Sequence, residues 1–244
     1  LGALALYSDR VNFFDDERLA TLQAFAHQAA AALENAHLFE DAQRRLERVQ
    51  ALRRIDMAIT SSLDLRLTLE VALDEIMEQL GVDAACVLLH DPRTSTLDYF
   101  LGRGFRTPAL QYTHLMWGKG LAGRAAQERR LIHIPDLTAR DDVFLNSPDF
   151  AAEGFVTYYA VPLIAEGQVK GVLELFQRRA VERDDEWREF LDVLAGQLGI
   201  AIHNATLLAN LQHTTQALLR AYDATIEGWS YALDLRDKET EGHT

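Results

Sequence analysis

The residues best placed to do chemistry lie near the middle of the chain. Gly118-Lys-Gly-Leu-Ala-Gly123 has the spacing GxGxxG, and Asp136 closes the next apolar segment, about where a dinucleotide fold puts the acid that holds its ribose. That chemistry needs a parallel strand inside a βαβ unit, because the pyrophosphate sits on the helix that the glycine turn opens. The segment upstream instead alternates as two strands, Ala84 to His90 and Leu97 to Phe105, around Asp91-Pro-Arg-Thr-Ser-Thr96, which is an antiparallel hairpin. The glycines are therefore read as a tight turn into a helix over Leu121 to Arg129, whose free backbone N–H groups can still hold an anion. Cys86 is the only cysteine and falls in an apolar strand, where a thiol behaves as a small hydrophobe rather than a nucleophile. His90, His114 and His133 fit no metal or haem spacing and are read as structural.

Composition bounds the partners. The 244 residues carry 24 Lys plus Arg against 37 Asp plus Glu, a formal charge of −13, and are 48 % hydrophobic. That is enough apolar material for one large or two modest domains. It leaves no surplus of cations for a phosphate backbone, so nucleic acid is not expected as a partner. One cysteine excludes an intramolecular disulfide or a multi-cysteine zinc site and suits a reducing compartment, so the cytoplasm is expected. Apolar stretches are interrupted well short of the roughly 20 residues of a membrane span, so no membrane segment is expected either. Residues 1–7 read as a strand already under way, and the chain stops at Gly242-His243-Thr244, so both ends look cut from something longer.

The chain repeats itself. Gly2-Ala-Leu-Ala-Leu-Tyr aligns with Gly171-Val-Leu-Glu-Leu-Phe, and from there the match continues without a gap for 15 identical residues in 42 aligned positions. In both copies a strand leads to acidic residues, Asp15 or Asp16 and then Asp184 or Asp185, which favour a helix N-terminus. Apolar residues then recur at steps of three and four, through Leu191, Leu194 and Leu198 to Leu218, Tyr222 and Trp229 in the second copy. Two successive steps of three, at Ala36, Phe39, Ala42 and at Ala205, Leu208, Leu211, would overwind a coiled coil locally. The helix is expected to change role there, from packing on its own domain to pairing with a second copy of the chain. The alternative is a single amphipathic helix bent back onto its domain.

Between the long helices the pattern is mixed. Leu67 to Leu80 is helical and Gly81 stops it, Leu131 to Ile134 begins a strand, and residues 138–153 are polar and loop-like. Val156 to Ile164 and Val169 to Phe176 form a second hairpin about Ala165-Glu-Gly-Gln168. The fold class is therefore α/β in the α+β sense, an antiparallel sheet covered by helices on one face and flanked by long linker helices.

This arrangement resembles a GAF domain, a ligand-sensing fold of signalling proteins. The resemblance rests on the hairpin at 84–105, on Gly118-x-Gly-Leu-Ala-Gly followed by Leu131-Ile-His-Ile-Pro-Asp136, and on Ala160-Val-Pro-Leu-Ile with Gly171-Val-Leu-Glu-Leu. It covers about residues 62–206, and the N-terminal stretch is similar to the end of a second such domain. It implies a pocket for an unidentified small molecule, with candidates Phe105, Trp117, Gly118, Gly120, Leu121, Asp136, Phe144, Phe155, Tyr158 and Tyr159. Aromatic residues also build cores, so the same rings would equally serve a filled interior. Members that bind cyclic nucleotides carry Asn-Lys after the last strand. Gln177-Arg178 stands there in this chain, and an Arg178 ion pair with Asp184 or Asp185 would tie strand to helix.

Residues 221–244 resemble the opening of an HD-GYP domain, a metal-dependent phosphodiesterase that hydrolyses cyclic di-GMP. Arg236, Asp237, Thr240 and His243 match its Arg-Asp-x-x-Thr-x-x-His stretch. Glu239 and His243, four apart, share a helix face and would reach a divalent metal, iron or manganese, only in a complete domain. The His-Asp and Gly-Tyr-Pro motifs that would complete the site are absent, so this chain is not expected to hydrolyse anything. The expected organisation is an upstream GAF tail over 1–16, a linker helix over 17–60, a GAF domain over 61–206, its exit and signalling helix over 187–230, and the HD-GYP start over 221–244. A ligand would shift helix pairing across a homodimer. The competing expectation is a ligand-free dimerising spacer. Polar groups converging on an internal cavity favour the sensor, and an interior filled by the domain's own rings favours the spacer.

Overall fold

The computed structural model describes residues 3–10, 13–61, 64–108, 110–139 and 148–241. They fall into two compact units, residues 1–53 and 54–244. In the first unit an irregular stretch leads to Asp15, whose carboxylate accepts the Arg18 N–H at 2.9 Å and caps α1 (Asp16–Ser61). Leu4 is 60 % and Leu6 47 % exposed, whereas Leu173 and Leu175, their equivalents in the repeat, are 0 % exposed.

In the second unit the elements run α2 (Leu65–Leu80), β1 (Ala84–Asp91), β2 (Thr96–Arg103), β3 (His114–Met116), α3 (Gly120–Glu128), β4 (Ile132–Ile134), α4 (Pro148–Glu153), β5 (Thr157–Ala165), β6 (Gln168–Gln177) and α5 (Asp185–Glu241). The six strands make one sheet in the order β3-β2-β1-β6-β5-β4 with every pairing antiparallel. The local chemistry sets the boundaries. Asp64 accepts the Arg66 and Leu67 N–H groups to start α2, and Gly81, at φ 59°, ends it in the left-handed region that glycine tolerates. Glu166 and Gly167, both at positive φ, close the β5–β6 hairpin as paired left-handed residues do. Asp184 caps α5 by accepting the Trp187 N–H at 2.8 Å.

Alternation along the strands splits the core in two. Cys86, Leu88, Tyr158, Val172 and Phe176 pack with Ala122, Ala125 and Ala126 of α3. Their neighbours Val87, Tyr159, Leu173 and Leu175 are buried on the opposite face, where α2 supplies Leu69, Leu73 and Ile76. There α5 lays Leu191, Leu194 and Leu198 on the sheet, and the Trp187 indole donates to the Leu80 carbonyl at 3.0 Å.

The structure departs from the expected sheet and connections. Helices cover both faces rather than one, because β5 and β6 are apolar on both sides. A three-residue strand, β3, extends the sheet beyond β2, and α4 interrupts the segment expected to be loop. α5 is long and apolar enough, by composition alone, to cross a membrane, which sequence inspection did not anticipate. Leu191, Leu194, Leu198 and Ile202, which contribute to that character, are buried in this domain instead.

Two glycines give predictions of opposite sign. A Cβ on Gly171 would lie 2.3 Å from the Leu88 carbonyl oxygen, whereas one on Gly196, inside α5, meets nothing within 4 Å. Gly171→Ala should therefore destabilise by about 2 kcal/mol, and Gly196→Ala should stabilise by about 1 kcal/mol. Urea unfolding of both variants checks the pair, and a Gly171→Ala variant as stable as the parent would contradict the packing described.

Candidate functional site

The α3 face of the sheet carries the chemistry. Strands β1, β6 and β5 place Cys86, Glu174 and Tyr158 side by side, all buried. The Tyr158 hydroxyl donates to Glu174 Oε1 at 2.5 Å and the Cys86 thiol donates to Oε2 at 3.2 Å. Burial raises the Glu174 carboxyl above its ordinary range, against the pull of those two donors. The same burial, with the Glu174 charge beside them, pushes the Cys86 thiol and the Tyr158 phenol well up. Cys86 is thus held as a thiol, without the thiolate character that a nucleophile needs.

Aromatic rings cover this trio. Phe176 lies 4.7 Å from Phe155 and 5.2 Å from Tyr158 between centroids, Phe105 packs edge-on to Phe155 at 5.8 Å, and Phe150 joins them at 5.9 Å. The rings are mutually tilted or T-shaped, the arrangement that ring quadrupoles favour.

The rim is closed by an ion pair. Glu153, at the end of α4, is 0 % exposed and accepts the backbone N–H groups of Arg106 and Thr107, the Thr107 hydroxyl at 2.8 Å and the Arg178 guanidinium at 3.0 Å. Burial alone would raise this carboxyl, but the donors together hold it below its ordinary value. Arg178 also donates to the carbonyls of Glu153 and Gly104 and lies over the Phe155 ring at 4.7 Å. The expected partnership of Arg178 with Asp184 or Asp185 is corrected. Asp184 is occupied as the α5 cap and Asp185 pairs with Arg188.

Of the residues singled out by sequence, Phe105, Phe155 and Tyr158 meet in the ring cluster, and Trp117 and Leu121 pack elsewhere against the wider core of the α3 face. Gly118 and Gly120 take positive φ in the turn before α3. Gly123 brings α3 so near that turn that a Cβ would lie 3.0 Å from the Met116 carbonyl oxygen. The preceding strand β3 is antiparallel to β2, so the GxGxxG spacing serves a close turn rather than a dinucleotide. Asp136 accepts the Thr138 N–H and hydroxyl at 2.8 and 2.5 Å, which lowers its pKa and spends it on a turn. Tyr159 lies on the opposite face, stacked on His133 at 4.3 Å and tilted against Trp187 at 4.9 Å between centroids. His90 packs against Trp117, and His114 pairs with Asp98. Phe144 and His243 lie outside the described residues, and Glu239 falls at the end of α5. Among the described residues no cluster of three His, Cys, Asp or Glu could hold a metal.

Sequence reading missed Glu174, Glu153, Phe150 and Phe176. Glu174 did leave a signal, a lone carboxylate inside the apolar run Val172-Leu-Glu-Leu-Phe176.

Comparison with known proteins agrees with this geometry. The GAF domain profile matches residues 62–203. Solved structures of similar fold include the GAF domains of phosphoenolpyruvate-protein phosphotransferases from Coxiella burnetii, 20 % identical with a TM-score of 0.60 over 68 % of this chain and 98 % of that one, and from Acinetobacter, 21 % identical with a TM-score of 0.55 over 67 % and 97 %. Another is the free methionine-R-sulfoxide reductase of Neisseria meningitidis, 20 % identical with a TM-score of 0.56 over 68 % and 93 %. These likenesses establish the fold. A curated relative, the HTH-type transcriptional activator RamA of Corynebacterium glutamicum, is 35 % identical over 106 residues, which span 42 % of this chain and 37 % of that protein.

The two buried carboxyls should respond to pH with opposite signs. Glu174, raised in the fold, contributes stability at low pH that is lost as pH rises from the ordinary carboxyl range through its folded pKa. Glu153, lowered in the fold, contributes stability above the ordinary range that is lost as pH falls through its folded pKa. Glu174→Gln should therefore gain stability relative to the parent as pH rises above the carboxyl range, and a pH-independent difference in urea unfolding would contradict the assignment. Arg178→Met strands the Glu153 carboxylate and should cost about 3 kcal/mol at neutral pH, less at pH 4, in the same measurement.

Proposed function

The chain belongs to the GAF domain family, and on that premise we propose that it is the regulatory part of a cytoplasmic signal-transduction protein. Its GAF unit senses a small molecule and passes the state along α5 to a C-terminal output across a homodimer. The observation that carries this reading is α5 itself. It is one unbroken helix from Asp185 to Glu241, buried on the sheet through Ile202 and exposing Leu207, Leu211, Leu218, Tyr222 and Trp229 beyond it. Such an apolar seam at heptad-like spacing is what a paired helix presents.

The output we propose is an HD-GYP phosphodiesterase, on the match of Arg236, Asp237, Thr240 and His243, with Glu239 and His243 as metal ligands in the complete domain. Such a metal would activate water for attack on cyclic di-GMP. An upstream GAF-type body is proposed to cover Leu4 and Leu6, on the strength of the repeat and of the burial of Leu173 and Leu175. The likeness to a transcriptional activator supports a regulatory role whichever output is attached.

One observation favours a second reading, a dimerising spacer without ligand. Phe105, Phe150, Phe155 and Phe176 pack on one another where the sensor reading would seat a molecule.

Native mass spectrometry of the purified chain, beside its denatured mass, separates the readings. A dimer with extra mass that is lost on denaturation supports the sensor and gives the ligand mass, and a dimer without it supports the spacer. A chain that is monomeric at micromolar concentration overturns both. Leu211→Glu with Leu218→Glu should weaken the dimer at least about tenfold while leaving the fold of the GAF unit unchanged.

A further inference from the structure

A different opening lies at the far end of the sheet, away from the ring cluster. A groove of about 440 Å³ runs between the β1–β2 and β5–β6 turns, the end of α3 and the flank of α5. That volume is in the range of small-molecule sites. Its walls combine three kinds of group.

The first is a ring surface. Trp117 is half-buried, packs against His90 at 4.5 Å between centroids, and is part of the lining. The second is positive charge. Arg129 and Lys170 both line the groove, and neither is neutralised by a carboxylate among the described residues. Arg129 donates to the Gly167 carbonyl at 2.9 Å and Lys170 to the Gln168 amide oxygen at 2.8 Å, so the acceptors that hold both side chains are neutral. Among the described residues no Asp or Glu belongs to the lining, in a chain whose net charge is −13. The third is α5. Ile202 and Thr206 form part of the wall at the point where the helix leaves the sheet, Ile202 being 3 % and Leu207 60 % exposed.

We propose that this groove is a binding site for a small organic anion with a flat ring, an aromatic carboxylate in chemical class. The ring lies against Trp117, and the carboxylate takes charge-assisted hydrogen bonds from Lys170 and Arg129. A ligand so placed also touches α5 where its packing changes, and thereby favours one arrangement of the exposed half over another. The site is independent of what, if anything, fills the α3 face.

The test is a titration of the full chain with salicylate, followed by the backbone amide of Thr206 and the indole N–H of Trp117, which is assigned through Trp117→Phe. Salicylamide, with the same ring and no charge, is the control. Saturable shifts at both positions are expected, with salicylamide weaker by about tenfold and Lys170→Gln weakening salicylate by a similar factor. Lys170 is partly exposed, so an otherwise unchanged spectrum of that variant certifies its fold. Absence of saturable shifts at millimolar salicylate, equal binding of the amide, or indifference to Lys170→Gln would each overturn the charged site. Shifts at Trp117 with none at Thr206 would overturn the contact with α5.

Discussion

The pairing of Arg178 with the buried carboxylate of Glu153 is the interaction on which the working parts of the domain depend, because it ties together three segments distant in sequence. Glu153 ends α4, Arg106 and Thr107 follow β2, and Arg178 follows β6. The carboxylate is fully buried and draws four donors from two of those segments. A charge in that position survives only because each lone pair is used. Arg178 also covers Phe155, so the ion pair and the ring cluster are one packed object. Since β6 is bonded on one side to β1 and on the other to β5, a shift at its end cannot be absorbed by a free edge. Its remaining outlet is residues 179–184, which lead to the Asp184 cap of α5.

The inner trio is a different solution to the same problem of a buried acid. Glu174 has no cation beside it among the described residues, only a phenol and a thiol. Without a counter-charge, burial raises the Glu174 carboxyl, and the same burial raises the Cys86 thiol and the Tyr158 phenol. Both groups are thereby committed to packing and hydrogen bonding within the trio.

What the sequence disclosed and what it hid divide along sequence distance. Gly81, Asp15, Asp184 and the Glu166-Gly167 pair each act on residues within about four positions, and their roles could be read directly from turn and cap chemistry. Arg178 could not be read so. Asp184 is six residues away and Glu153 is 25, and local reasoning favours the nearer acid although the fold brings the farther one closer. Tyr158-Tyr159 misled for a related reason. Adjacent residues on a strand point to opposite faces, so one tyrosine reaches Glu174 and the other packs against Trp187. A β5 that is apolar on both sides already signalled that both faces are covered, which a reading fixed on a single pocket passes over. The three-residue β3 and the six-residue α4 were too short for any periodicity to reveal.

The proposed signalling rests on α5 rather than on the sheet, and the magnitudes limit how it can work. Within five residues the helix goes from Ile202, held in the core, to Leu207, exposed, and the irregular step through Ala205, Leu208 and Leu211 falls at that junction. Two successive steps of three overwind a coiled coil locally, and rotating one half relative to the other would relieve that strain. A ligand moves such an equilibrium only by its difference in affinity for the two arrangements. One charge-assisted hydrogen bond present in one arrangement and absent in the other is worth about 1.5 to 3 kcal/mol, roughly a tenfold to hundredfold shift in population. Moving the helix fully from one state to the other would need about 5.5 kcal/mol. Two cations acting together on one carboxylate come within reach of that figure, and one alone does not. The groove wall contains both Arg129 and Lys170 beside Ile202 and Thr206. A site of that composition at that junction has the energetic range for a graded switch, provided the two arrangements begin within a few kcal/mol of each other.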